Sequence, residues 1–260
     1  MNILFIADVF GRPGRDALEA RLRALRDELA ATFCVVNGEN VADGAGITPR
    51  LADRLLGAGA DAITLGNHTW RRPEIGAYLA GSERVVRPAN LSSSSPGRGL
   101  AIVPAADGTP VAVINVMGSL YLDPPCSMWE LVDDLVDEAL AATAVVIVDV
   151  HAEATSEKVA LARWLDGRVT AVIGTHTHVQ TSDARVQPGG TAAMTDAGMT
   201  GPHDSVIGVK PEIIVHRLRT GIPVRFEVAE RGVRIEGALI TCDPSTGRAT
   251  AIGPVRVPWP

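Results

Sequence analysis

The chain has 260 residues, of which 46% are hydrophobic and 21% charged, a balance that implies a globular protein with a sizeable core and excludes disorder. Only 4% are aromatic, so that core must be built mostly from Ala, Val, Leu and Ile. A formal net charge of -6 gives no support to a broad nucleic-acid-binding surface, although bound cations can reverse the field inside a cleft.

Asn2 to Ala7 is a short apolar run ending at Asp8, with Gly11 and Pro13 behind it: a first strand, its turn and the entry to a helix. Leu18, Leu22, Leu25 and Leu29 recur at steps of four, three and four, which predicts an amphipathic helix with one leucine stripe. Arg21, Arg23 and Arg26 alternate with acids and read as its solvated face. Phe33 to Val36 is the second strand and ends in Asn37-Gly38-Glu39-Asn40; a helix follows from about Pro49 to Leu56. Ala62 to Leu65 is the third strand, ending in Gly66-Asn67-His68. Strand, loop and helix therefore alternate, which favours a parallel sheet covered by helices.

After the polar loop Leu91 to Gly97, Leu100–Val103 and Val111–Val116 read as a hairpin-like pair of strands around Gly108-Thr109-Pro110. Trp129 to Ala142 predicts a helix with Leu131, Leu135 and Leu140 as its apolar face. Val145 to Val148 is a buried strand with His151 close behind, and Val159 to Leu165 a helix. Val169 to Ile173 is a further buried strand, followed by Gly174-Thr175-His176-Thr177-His178. Gly/Pro-rich turns then separate three expected antiparallel strands, Val224–Val228, Gly232–Ile240 and Arg248–Val257. His216 reads as structural or exposed, and Trp70, Trp129 and Trp164 as packing residues. No internal repeat is present, and one mixed α/β sandwich domain over residues 1–260 is expected.

Cys34, Cys126 and Cys242 are far apart, odd in number and without a CxxC, so neither a disulfide framework nor a thiolate zinc site is expected. No apolar run approaches a membrane span, and Met1 to Val9 lacks the basic start of a secretory signal; a cytoplasmic protein is the expectation.

Metal-seeking residues sit at or just past the ends of several apolar strands: Asp8, Glu39, Asn40, Asn67, His68, His151, His176 and His178. In open α/β sheets the loops at the carboxyl ends of the strands converge on the ligand. Eight oxygen and nitrogen donors at one sheet edge exceed the need of one cation and suit two, with Glu39 or Asp8 bridging and a water between them. Singly, each residue has an ordinary alternative: Asp8 as a helix cap, Glu39 in a solvated turn, His151 as a satisfied core histidine. His203 sits in a loop that could face the same cleft, and Arg12 is placed either to touch a phosphate or to pack at a turn.

Gly66-Asn67-His68, the later lone histidine and Gly174-Thr175-His176-Thr177-His178 resemble the calcineurin-like metallophosphoesterases. Three departures from that superfamily pattern are Phe10, Gly38-Glu39-Asn40 and Thr175. These departures, with the runs Asp8 to Gly14 and Thr195 to Pro202, resemble the YmdB-like branch of 2′,3′-cyclic-nucleotide phosphodiesterases. The resemblance implies a four-layer αββα sandwich with mixed β-sheets and two divalent or mixed-valence metal ions, iron or manganese. Glu39 would bridge them; Asp8, Asn40 and His178 would complete one site, and Asn67, His151 and His176 the other. His68 would be the proton donor in hydrolysis of a small phosphodiester by a hydroxide held between the metals.

Two other classes fit part of the pattern. A metal-dependent amidohydrolase also uses HxH, although such barrels place it after the first strand, where Asp8 stands here. A regulatory protein of the same fold could bind RNA or a protein partner. The sequence leaves a homo-oligomer open.

Overall fold

The computed structural model describes all 260 residues, Met1–Pro260. The first half of the chain runs β1 (Asn2–Ile6), α1 (Gly11–Glu28), β2 (Ala31–Asn37), α2 (Pro49–Ala58), β3 (Ala62–Thr64), α3 (Ile75–Gly81) and β4 (Val85–Val86). It continues with β5 (Leu100–Pro104), β6 (Pro110–Met117), α4 (Val132–Ala142), β7 (Val146–His151), α5 (Thr155–Trp164) and β8 (Ala171–Thr175). The remainder is β9 (Arg185–Val186), β10 (Ala192–Met194), β11 (Gly201–Pro202), α6 (Pro211–Thr220), β12 (Val233–Cys242) and β13 (Ala249–Pro258).

Two mixed sheets result. In the first the order is β11-β12-β1-β2-β3-β4, with β13 also paired to β12; β1 to β4 are parallel, and β12 runs antiparallel to β1. In the second the order is β5-β6-β7-β8-β10-β9, with β6, β7, β8 and β10 parallel. The expected hairpin forms as β5 and β6, in antiparallel register from Leu100↔Ile114 to Pro104↔Pro110.

Side-chain alternation along the strands builds the layers. In β1, Ile3 and Phe5 point into the core between the sheets, where Phe33, Val113, Ile147 and Ile173 meet them. Leu4 and Ile6 point the other way, onto the Leu18, Leu22 and Leu25 stripe of α1. β7 divides likewise, Ile147 toward the sheet-sheet core and Val146, Val148 and Val150 toward α4 and α5. Each fully buried leucine or isoleucine contributes about 1.5–3 kcal/mol through lost contact with water. Helices, two sheets and helices form the four layers, and no helix is long and apolar enough to cross a membrane.

Several expectations need correction. Val224–Val228 forms no strand; it is tied to its neighbour by one bridge, Val209↔Val228, and by the Lys210 amide donating to Glu227. α4 begins at Val132, and its buried face is Val132, Val136 and Ala139; Leu140 is exposed, because the helix is rotated to place its small residues on the sheet. Trp129 and Trp164 are not core packing residues: both are exposed and meet edge to face at 6.5 Å. Arg26 leaves the solvated face, pairing with Asp61 at 2.9 Å and donating to the Gly59 carbonyl. The two-sheet sandwich is not a barrel, which removes the fold an amidohydrolase would need.

Candidate metal centre

The parallel strands place their carboxyl ends side by side, and the donor residues gather there. Asp8 follows β1, Glu39 and Asn40 follow β2, Asn67 follows β3, His151 ends β7, and His176 and His178 follow β8. Asp8 is not a helix cap; it is fully buried and accepts from the His176 backbone amide at 2.8 Å. Gly66 permits this convergence, since a methyl group there would overlap Glu39 Oε2 and His151 Nε2.

The donors fall into two touching groups. In one, His151 Nε2 lies 2.9 Å from Asn67 Oδ1, 3.0 Å from His176 Nδ1 and 3.3 Å from Glu39 Oε1. In the other, His178 Nε2 lies 3.2 Å from Asn40 Nδ2 and 3.8 Å from Asp8 Oδ2. Glu39 Oε1 is common to both, because it also accepts from Asn40 Nδ2 at 3.0 Å. Ligand atoms of Glu39, His151 and His176 all lie within 4.8 Å of one another. Of the two acids the sequence left open as the bridge, Glu39 is the one whose carboxylate touches side chains of both groups, whereas Asp8 reaches the first only through the His176 backbone amide.

The protonation pattern fits a cation. Thr175 Oγ1 donates to Asp149 at 2.7 Å, so it accepts from Nδ1–H of His151 at 2.9 Å. A neutral His151 then presents the Nε2 lone pair to an amide oxygen, a carboxylate and a second imidazole nitrogen, a convergence that calls for positive charge. Without a metal, that charge is a proton: burial opposes it, but Glu39, Asp8 and Asp149 prevail and raise His151 to about 9. His176, half-buried and beside His151, is pushed down to about 3 by desolvation and by that neighbour, and burial lowers His178 as well. Burial raises Asp8 well above the usual carboxylate range, and its buried Oδ1 has no hydrogen-bond partner. In Glu39 burial is outweighed by His151 and His68, which hold the carboxyl well below its ordinary value. A deprotonated Glu39, neutral His176 and His178, and an orphaned oxygen on Asp8 suit divalent cations.

His68 stands beside the cluster. Its Nδ1 is 2.7 Å from Asn40 Oδ1 and 3.4 Å from Glu39 Oε1, and its half-buried ring lines a cavity of about 650 Å³ with Glu39, Asn40, His176 and His178. Arg12 and His203 do not line it. Arg12 is 79% exposed and pairs with Asp16 at 3.2 Å, while His203 lies 3.1 Å from the Met199 carbonyl. His216 is exposed.

Three supporting features escaped the sequence reading. One is the Thr175–Asp149 pair behind His151, which Asn37 completes by donating to Asp149 at 3.1 Å; an acid inside the apolar run of β7 was the available signal. The second is the buried pair Lys158–Asp196 at 2.9 Å, whose Asp196 also accepts from the Thr177 amide and hydroxyl at 3.1 and 2.7 Å. It pins Thr177 between His176 at φ 96° and His178 at φ 65°, both in the left-handed region. The third is Ile207, whose carbonyl lies 3.1 Å from His178 Nδ1.

Residues 4–255 match the model of the YmdB-like protein family. A 2′,3′-cyclic-nucleotide 2′-phosphodiesterase of Bacillus subtilis (strain 168) is 46% identical over 252 residues, covering 97% of this chain and 95% of that one. A hypothetical protein from Thermus thermophilus superposes with a TM-score of 0.93 at 41% identity, over 100% of both chains. The calcineurin-like phosphoesterase YfkN of Bacillus subtilis, 12% identical, gives 0.59 over 99% of this chain and 90% of that one, a likeness of fold. By its sequence over nearly its whole length, the chain belongs to the YmdB-like family, on the calcineurin-like phosphoesterase fold.

Proposed function

We propose that this chain is a metal-dependent phosphodiesterase, one catalytic domain over residues 1–260, and that it hydrolyses 2′,3′-cyclic nucleotides. The observation that carries the reading is the pair of donor groups joined through Glu39 Oε1. Asp8, Asn40 and His178 would hold one cation and Asn67, His151 and His176 the other, with Glu39 between them. Iron or manganese suits a set of imidazole, carboxylate and amide donors without thiolate. Such cations supply Lewis acidity, lowering the pKa of water and offsetting phosphoryl charge. The substrate class comes from the Bacillus relative. A cytoplasmic location agrees with three cysteines that are all unpaired.

The chain's own residues supply the rest. Thr175 and Asp149 fix the His151 ring and its tautomer, and Asp8 holds the His176 backbone amide. His68 is the proton donor: Asn40 engages its Nδ1, so a doubly protonated ring offers Nε2–H to a leaving ribose oxygen. Collapse of the cyclic diester breaks one P–O bond and needs one proton on that oxygen, and no other cavity-lining imidazole lies outside the two donor groups.

The test is a panel of cyclic and linear phosphodiesters with manganese-loaded protein, run beside His68→Ala and paired with elemental analysis. Expected are hydrolysis of the cyclic substrates, two metal atoms per chain, and a roughly 10²–10⁴-fold loss of turnover in His68→Ala with metal retained. Loss of metal from His68→Ala would make His68 a ligand. Hydrolysis of no diester would leave a binding role instead.

A further inference from the structure

The cavity beside the donor groups has a second wall of opposite character, and hydrolysis of a phosphodiester does not call for it. Besides Glu39, Asn40 and His68, the cavity is lined by Ile207, Val209, Ile214 and Phe226. Ile207 and Phe226 are 51% and 46% exposed, large apolar groups left in water at the mouth of a site. Ile207 is held at φ 47°, a conformation that a β-branched residue adopts only at a cost of about 1–3 kcal/mol. Its carbonyl steadies His178, while its side chain lines the cavity. The Arg217 guanidinium lies 4.9 Å from the Phe226 ring centroid, so one face of that ring is covered and the ring is braced.

At about 650 Å³ the cavity is far larger than a phosphate and is in the range that encloses a whole small molecule. A flat, braced ring beside aliphatic side chains matches an aromatic heterocycle, which stacks on such surfaces. We propose that Ile207, Ile214 and Phe226 form a stacking subsite for the nucleobase of the diester. This assignment rests on the phosphodiesterase reading and adds the group on which its selectivity acts. None of the three side chains carries a hydrogen-bonding group, so the subsite accepts purines and pyrimidines alike while disfavouring diesters without a base.

The experiment uses metal-loaded full-length protein and three substrates: adenosine 2′,3′-cyclic phosphate, cytidine 2′,3′-cyclic phosphate and the base-free methyl riboside 2′,3′-cyclic phosphate. Expected for the wild type is kcat/KM roughly 5- to 150-fold higher for the two nucleotides than for the base-free compound, carried mainly by KM. Adenosine and cytidine substrates should agree within about tenfold. Phe226→Ala should collapse the ratio of nucleotide to base-free kcat/KM toward one, and Phe226→Tyr should restore it. Because Phe226 is on the surface, unchanged thermal unfolding of both variants separates the effect from misfolding. Equal wild-type kcat/KM for base-bearing and base-free substrates, or a ratio untouched by Phe226→Ala, overturns the subsite and leaves the phosphodiesterase standing. Hydrolysis of none of the three overturns both.

Discussion

Lys158→Met isolates what holds the histidine loop in place. Lys158 is 3% exposed on α5, and its Nζ lies 2.9 Å from Asp196 Oδ2. That oxygen also receives the amide and hydroxyl of Thr177, and Gly198 donates its amide to Oδ1 at 2.9 Å. Methionine keeps most of the length and apolar stem of lysine but leaves the carboxylate uncompensated in a buried site. Breaking such a pair from one side costs about 3–5 kcal/mol. For a domain of this size each kcal/mol lowers Tm by about 2–4 °C, so calorimetry should show a fall of about 6–20 °C. Turnover should fall as well, by about tenfold or more at saturating manganese, because His176 and His178 hold φ values that non-glycine residues reach only under constraint. The double variant Lys158→Met/Asp196→Asn should recover part of the stability, since it removes the bare charge. A Tm within about 2 °C of wild type together with unchanged kcat would refute the reasoning.

Two further outcomes follow from the donor groups themselves. Gly66→Ala should abolish metal retention and activity together, because the new methyl group would overlap Glu39 and His151; full metal content by elemental analysis would contradict this. In chelator, His151 binds its proton more tightly when folded, at about 9 against an ordinary 6.5. That stabilisation is complete below pH 6.5 and is lost as pH rises through 9, with a slope of at most about 1.4 kcal/mol per pH unit. Chemical denaturation of metal-free protein should record the decline, and Glu39→Gln, lacking the charge that raises His151, should flatten it; an unaltered slope would place the proton elsewhere.

The gathering of Asp8, Glu39, Asn40, Asn67, His151, His176 and His178 at one sheet edge was legible because each of their loops begins at or near the end of an apolar run, and a strand's end is a local property of sequence. β1, β2 and β3 with their following loops could be read directly, as could the hairpin of β5 and β6. Residues whose meaning depends on a distant neighbour could not. Thr175 looked like a departure from a pattern until Asp149 and His151 stood on either side of it. Lys158 sits on a short helix whose partner carboxylate is 38 residues away. Val224 to Val228 has strand-like composition, yet it provides Phe226 to the cavity and pairs by one bridge only. α4 shows the same limit for packing: Leu131 and Leu135 pack against the edge of the core as expected, but Leu140 is exposed and the fully buried face is the smaller Val132, Val136 and Ala139.

The register of β1 against β12 sets an order of assembly. Asn2 pairs with Thr241 and Ile6 with Gly237, so β1, which Asp8 follows, gains this neighbour only once the chain has been synthesised past Gly237. The segment after β1 is fastened in part from afar: Ala7 donates to the Glu236 carbonyl and Thr200 to that of Asp8, while Val9 donates to the nearer Asn37 carbonyl. Contacts of such sequence separation form late, because a long loop must close before they contribute. A ribosome-bound chain can therefore offer Glu39, Asn40 and Asn67 early, but not an Asp8 fixed in its final position. Cation binding that relies on a fixed Asp8 would then wait until β12 is in place.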